Sequence, residues 1–244
     1  MEMVEGVAVN IVLVHGSFGG GWNWKKVAPG LRAAGHLVLT PTLTGVGERS
    51  HLLSPSIGLE THIQDIVNVL TYEDLHDVLL VGHSWGGMVI TGVAESQHAR
   101  IARLVYLDAF IPQDNQSVFD ISSRAGERWR VKEAWGLVPP HDPASSGITD
   151  PDDVAWVQAR RAPMSIKTHE DRIRLPHNHA ASLPRSYIWC TESPGFAGMA
   201  EIARSEGWDY HELPTNHSPM VTIPNELTAT LLQIAEMTQG AIPA

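Results

Sequence analysis

A chain of 244 residues with 43% hydrophobic and 18% charged residues is long enough for one large globular domain, or for one domain carrying an insertion. A formal charge of −10 works against nucleic-acid binding, which rests on clustered Lys and Arg, and no run approaches the roughly 18 apolar residues of a membrane span. The opening "MEMVEGVAVN" lacks the basic stretch and apolar core of a secretory signal, and the single cysteine, Cys190, allows no internal disulfide, so a reducing cytoplasmic setting is expected.

In chain order, short β-branched runs end at turn-forming or polar residues and alternate with amphipathic stretches. A strand is predicted over 10–14, before "HGSFGGGW", and a helix over 24–34. A second strand over 36–40 leads into "PTLTGVGERSH", followed by a helix over 59–70. The run 78–81 enters "GHSWGG", a helix follows over 88–96, and the run 104–107 enters "DAFIP". After a long interval come a strand over 186–190, before "TESPGF", and helices over 198–206 and 227–237. Continuous apolar runs of this length suit strands buried on both faces. Their alternation with helices reads as βαβ units, hence an α/β fold whose mostly parallel sheet is flanked by helices. Ligands of such sheets sit at the carboxyl ends of strands, where every Gly-rich turn here falls.

Residues 113–183 break the pattern, with several prolines, Trp129, Trp135, Trp156 and no clear strand. The segment is too long for a plain loop, so a helical insertion is expected, with 1–112 and 184–244 forming the core around it.

Gly82-His83-Ser84-Trp85-Gly86, between a buried strand and a helix, is the pattern of a strained nucleophile turn. Side chains two residues before and after the serine would collide across so tight a bend, which explains glycine at both places. Ser84 is the candidate nucleophile. The Trp85 N–H, at a helix N-terminus, is a candidate donor to an anion forming beside it. A base is needed, and His217 in "LPTNHSPMVTIP", the last of 13 histidines, stands where the order Ser, acid, His expects it. The second oxyanion donor is expected after the first strand, from the Ser17 N–H with Phe18 as the alternative. A dinucleotide loop is a poor reading of Gly16–Gly21, because Phe18 occupies a position that G-x-G-x-x-G gives to glycine, and no acid follows the second strand.

"LVHGSFGGGWNW", "GVGERSHL", "GHSWGGMV", "YLDAFIP" and "NHSPMVTIPNEL" together resemble the α/β-hydrolase superfamily. The resemblance is strongest to the branch of plant methyl-ester esterases, hydroxynitrile lyases and related small esterases. It implies an eight-stranded, mostly parallel sheet, a cap over the serine formed by 113–183, and no cofactor. One departure matters: where that branch usually carries its aspartate, "CTESPGF" has Ser193, with Glu192 one position earlier. A carboxylate is still required to hold the histidine tautomer. The candidates are Asp108, after the run 104–107 at a topological site used by related hydrolases, and Glu192; Asp108 is favoured.

The expectation is a serine hydrolase acting on a small, fairly apolar ester, or a related amide or carbamate, with Phe18 and Trp85 beside the acyl or alkyl group. The expected partner is a small-molecule ester, with no nucleic acid or membrane, and the chain is compatible with a homodimer. A hydroxynitrile lyase is the alternative on the same scaffold, but the lysine that chemistry uses after the histidine is Ser218 here. A non-catalytic small-ligand receptor is a second alternative. Arg49 and His51 are expected to order their loop. His169, His177 and His179 are expected to be solvated rather than metal-bound, since no Cys or carboxylate lies at ligand spacing. Cys190 is expected to be buried and inert.

Overall fold

The structure is a computed structural model, and it describes residues 8–122 and 136–239. In chain order the core elements are β1 (Asn10–Val14), α1 (Ala28–Ala33), β2 (Leu37–Leu39), α2 (Leu59–Tyr72), β3 (Val78–His83), α3 (Gly86–Gln97) and β4 (Ile101–Leu107). The interval after β4 carries α4 (Val118–Ile121), β5 (Leu137–Val138), α5 (Pro151–Gln158), β6 (Met164–Ser165) and α6 (Lys167–Glu170). The chain then returns to the core through β7 (Arg185–Cys190), α7 (Ala197–Ser205), β8 (Asp209–Leu213), α8 (Pro219–Thr222) and α9 (Pro224–Gln239).

Six strands form one parallel sheet in the order β2-β1-β3-β4-β7-β8. The eight-stranded sheet implied by the resemblance therefore has six strands among the described residues. The first of them, β1, is already an interior strand, paired on both sides. Alternating side chains feed two cores. Val12, Val14, Leu80, Leu104 and Tyr106 face the helices α2 and α3, and Ile11, Leu13, Leu79, Val81 and Val105 face α1 and α9. Burial on both faces is why these strands read as unbroken apolar runs.

β8 escaped the sequence reading. "DYHEL" is an edge strand, mostly half-exposed, so it carries the polar residues that continuous-run reasoning discards. Within the interval 113–183 the described helices are short, and β5 and β6 pair as an antiparallel ribbon. No described helix is long and apolar enough to cross a membrane.

The strand order reverses direction at β1, whose two neighbours are β2 and β3. The carboxyl ends of β1 and β3 therefore open a crevice at the switch point. Register does the rest. His83 pairs with Leu107, so the residues that follow, Ser84 and Asp108, leave the sheet side by side.

Candidate active site

Ser84 sits in the turn from β3 into α3 with φ of 55°, a left-handed backbone that costs a non-glycine residue about 1–3 kcal/mol and persists only where surroundings over-determine it. The surroundings are tight. A Cβ on Gly82 would meet the Gly86 carbonyl oxygen at 2.5 Å, and one on Gly86 would meet the Val14 carbonyl oxygen at 2.9 Å. The bend is locked by Ser84 N–H donating to the Leu107 carbonyl at 3.2 Å, while Gly87 N–H and Phe110 N–H donate to the Ser84 carbonyl at 3.1 and 3.2 Å.

His217, in the loop after β8, has its Nε2 2.9 Å from Ser84 Oγ. Its Nδ1 lies 2.6 Å from Asp108 Oδ2. Because an ionised carboxylate only accepts, Nδ1 carries the proton and Nε2 is left as an acceptor facing the serine hydroxyl. Asp108 is fully buried and also takes a left-handed φ, 41°. Its own N–H donates to the Ile188 carbonyl at 2.7 Å, and Oδ1 accepts from Cys190 N–H at 3.4 Å. Burial raises the Tyr187 hydroxyl and the Cys190 thiol well above their ordinary pKa values, and the Asp108 charge adds to both shifts. Cys190 is buried and free, as expected.

Of the two acid candidates, the structure brings Asp108 to His217 and leaves Glu192 outside. The Glu192 side chain is exposed and accepts from Asn216 Nδ2 at 3.4 Å. Two residues that the sequence reading passed over also hold the histidine. His83 Nε2–H donates to the His217 carbonyl at 2.8 Å. Burial, followed by the neighbouring His217, pushes the His83 pKa well down and keeps that imidazole neutral. Phe196 stacks on the His217 ring at 4.7 Å and 9°. The available signals were His83's place beside the serine and Phe196's place in "CTESPGF".

The loop after β1 brings backbone N–H groups to the serine. Among the described residues the Ser17 and Trp85 N–H groups have no protein acceptor, whereas the Phe18 N–H is engaged by Met164 Sδ at 2.9 Å. That engagement removes Phe18, itself at φ 65°, as the alternative donor. His15 anchors the loop from below: its Nδ1–H donates to the Gly16 carbonyl at 2.8 Å, and its Nε2 accepts from Leu43 N–H at 3.1 Å. Burial lowers its pKa to about 4.

His169 is not solvated as expected; it lines the site. The Thr168 hydroxyl donates its one proton to the Ser165 carbonyl at 2.7 Å, so at 2.8 Å it accepts from His169 Nδ1–H. Nε2 of His169 then accepts from the Ser17 hydroxyl at 3.2 Å. Burial lowers the His169 pKa to about 4, keeping this tautomer. The expectation for the Trp85 side chain is also corrected. It is fully buried, donates its indole N–H to His62 Nδ1 at 3.3 Å and stacks against His169 at 5.3 Å. His169 therefore stands where Trp85 was expected to flank the ligand.

A cavity of about 410 Å³ opens over Ser84 and His217. Phe18, Phe110, Val118 and Phe196 give it an apolar wall, while Asn23, Ser145, Ser146 and Arg161 give it a polar one. Arg49 orders its loop as expected, donating to the Thr42 carbonyl at 2.8 Å. Trp129 and Trp135 lie outside the described residues, and Trp156 packs edge-on against Trp22 at 5.1 Å. Away from the site, α3 supplies the carboxylate that sequence spacing did not show: Glu95, His177 and His179 hold ligand-type atoms within 4.8 Å of one another. Glu95 already accepts from His177 N–H, His177 Nδ1 and His179 N–H at 2.7, 2.9 and 3.3 Å, so it pins that loop to α3.

An α/β-hydrolase family model matches residues 11–230, and the chain belongs to that family. Within it, the chain is 39% identical over 237 residues to a carbendazim hydrolyzing esterase of Nocardioides sp., covering 91% of this chain and 98% of that protein. It is 27% identical to salicylic acid-binding protein 2 of Nicotiana tabacum, covering 93% and 96% of the two chains. An extracellular α/β-hydrolase of a Paenibacillus species superposes with a TM-score of 0.82 at 24% identity, over 92% of this chain and 98% of that one, which speaks for the fold.

Proposed function

We propose that this protein hydrolyses small, fairly apolar carboxylic esters through an acyl-enzyme on Ser84, with amide and carbamate carbonyls as neighbouring chemistries. One observation carries the reading: an unbroken hydrogen-bonded chain from Ser84 through His217 to buried Asp108, at 2.9 and 2.6 Å, beneath a cavity. Ser84 Oγ attacks the carbonyl carbon while its proton passes to His217 Nε2. Asp108 holds the imidazole tautomer and stabilises the imidazolium. The charge on the former carbonyl oxygen is met by the Ser17 and Trp85 N–H groups, donors of a kind whose single loss costs about 10²–10³ in rate. His217 returns the proton to the departing alcohol, and water repeats the sequence on the acyl-enzyme. The carbendazim hydrolyzing esterase among the relatives supports the reaction class. We assign 113–183 as the cap that shapes the cavity, which Ser145, Arg161 and His169 reach from that segment. A cytoplasmic location suits the single cysteine.

The test is Ser84→Ala. The variant is expected to lose covalent labelling by an organophosphonate and to lose about 10⁴-fold or more in kcat on a chromogenic acetate ester. Full-stoichiometry labelling of the variant would refute the assignment. A wild-type protein that binds the ester without an acyl-enzyme burst would point instead to a receptor.

A further inference from the structure

Arg161 is a cation that brings its charge to the cavity wall. It follows α5, reaches the polar wall of the cavity and is half-buried. Its Nη1 donates to the His141 carbonyl at 2.7 Å and its Nη2 to the Ser146 hydroxyl at 3.3 Å, both neutral acceptors. A guanidinium offers five N–H donors in a planar fork, so most of that fork is uncommitted. Among the described residues no salt bridge reaches it, and neither Asp nor Glu lines the cavity. Asp142 is close enough to act on it electrostatically, yet Asp142 Oδ1 is occupied capping the Ala144 N–H at 2.9 Å.

Taking a charge partly out of water without a partner is costly. Burial accordingly pulls the Arg161 pKa below its ordinary value, and its charge is felt as far as His83, under the nucleophile. The cavity thus has an apolar side beside Phe110 and Phe196 and a side that carries the Arg161 charge. A planar fork of free N–H donors matches a carboxylate.

Resting on the ester-hydrolase reading above, we propose that Arg161 is a substrate anchor and that the preferred substrates are esters bearing a carboxylate on the part of the molecule remote from the scissile carbonyl. Such a substrate places its carbonyl over Ser84, lays its chain along the apolar wall and meets the guanidinium with its anionic end. A neutral ester of equal length fills the same space and makes no ion pair with the guanidinium.

The experiment compares kcat/KM for mono-4-nitrophenyl adipate and 4-nitrophenyl hexanoate, at low and high salt, in wild-type protein, Arg161→Gln and Arg161→Lys. The wild-type ratio is expected to favour the adipate by about tenfold or more and to shrink as salt screens the pair. It should fall to about one in Arg161→Gln and be partly kept in Arg161→Lys. If Arg161 only pins the loop that carries His141 and Ser146, Arg161→Gln lowers both substrates by one factor and the ratio survives, which overturns the anchor. A salt-independent wild-type ratio near one overturns it without any variant, and so covers an Arg161→Gln protein that fails to fold by circular dichroism. Turnover of both esters without preference leaves the hydrolase reading standing, whereas turnover of neither by the wild-type protein removes that reading and the anchor together.

Discussion

The sheet and the segment joining β4 to β7 are held by different forces. The inner strands bury side chains on both faces, and residues such as Val12, Leu80 and Leu104 are wholly shielded from water. Among the described residues the joining segment has short elements, buries apolar side chains such as Val118, Met164 and Ile173, and adds single polar contacts to the core. Asp171 accepts from Leu59 N–H at 3.0 Å, Ser165 donates to the Pro55 carbonyl at 3.1 Å, and Glu95 accepts from His177 N–H at 2.7 Å. The left-handed backbones of Phe18, Ser84 and Asp108 all leave strands of the sheet, where dense packing can hold a strained conformation. The segment's contribution, Arg161, His169 and the serines at 145 and 146, faces the cavity from the other side. In the function proposed above, the reacting groups stand at the ends of the packed strands, and the proposed substrate anchor Arg161 stands on the joining segment.

If that division is correct, substitutions at the strand ends should be costliest. Asp108→Asn should keep its far-ultraviolet circular dichroism and lose up to about 10⁴-fold in kcat, because an amide can hold the wrong imidazole tautomer. Glu192→Gln, exposed and beyond reach of His217, should lose less than about tenfold. A folded and fully active Asp108→Asn protein would break the comparison at its strongest point.

Acid should loosen the floor of the site. His15 has a folded pKa of about 4 against an ordinary value of 6.5, so the unfolded chain binds more protons between those values. Its stabilising contribution is complete above pH 6.5 and is lost as pH falls toward 4, by about 3 kcal/mol in all. The protonated ring would also turn an N–H toward the Leu43 N–H that it now accepts. Burial shifts His62 and His83 in the same direction. Urea midpoints measured from pH 7.5 down to 4.5 should fall steadily, and a flat profile would contradict these assignments.

Across the boundary the effects should be gentler. His169→Leu removes the acceptor of the Ser17 hydroxyl and should lower kcat by about fivefold, the scale of one neutral hydrogen bond, with less change in KM. An effect carried by KM alone would make His169 a ligand contact instead of a positioning residue for Ser17. Smallest of all should be Lys26→Met, which breaks a 2.6 Å ion pair between the core and Asp153 of α5. Both side chains are partly exposed, so under about 1 kcal/mol is expected, read as a Tm change of a few degrees or less.

The sequence by itself carried whatever is encoded within a few residues. The strand before Ser84 follows from a run of apolar residues, and the bend from glycine at 82 and 86, because steric conflict across a tight turn is local. The last histidine could be found by order along the chain. What met that histidine was narrowed to two carboxylates, with Asp108 favoured by its place after the run 104–107. Asp108 and His217 are separated by 109 residues, and the choice between Asp108 and Glu192 depends on β3 and β4 pairing His83 with Leu107, a register that no single strand specifies. Two further side chains show the same limit. His169 resembles a surface residue until Thr168, Ser17 and Trp85 surround it, and Glu95 is an ordinary helix carboxylate until His177 and His179 fold against it. β8 was hidden for a related reason, since an edge strand exchanges apolar faces for solvent and loses the pattern that announces it. Propensity and turn chemistry act between neighbours in the chain, whereas burial, charge and tautomer are set by neighbours in space, and only the packed sheet with its joining segment decides who those are.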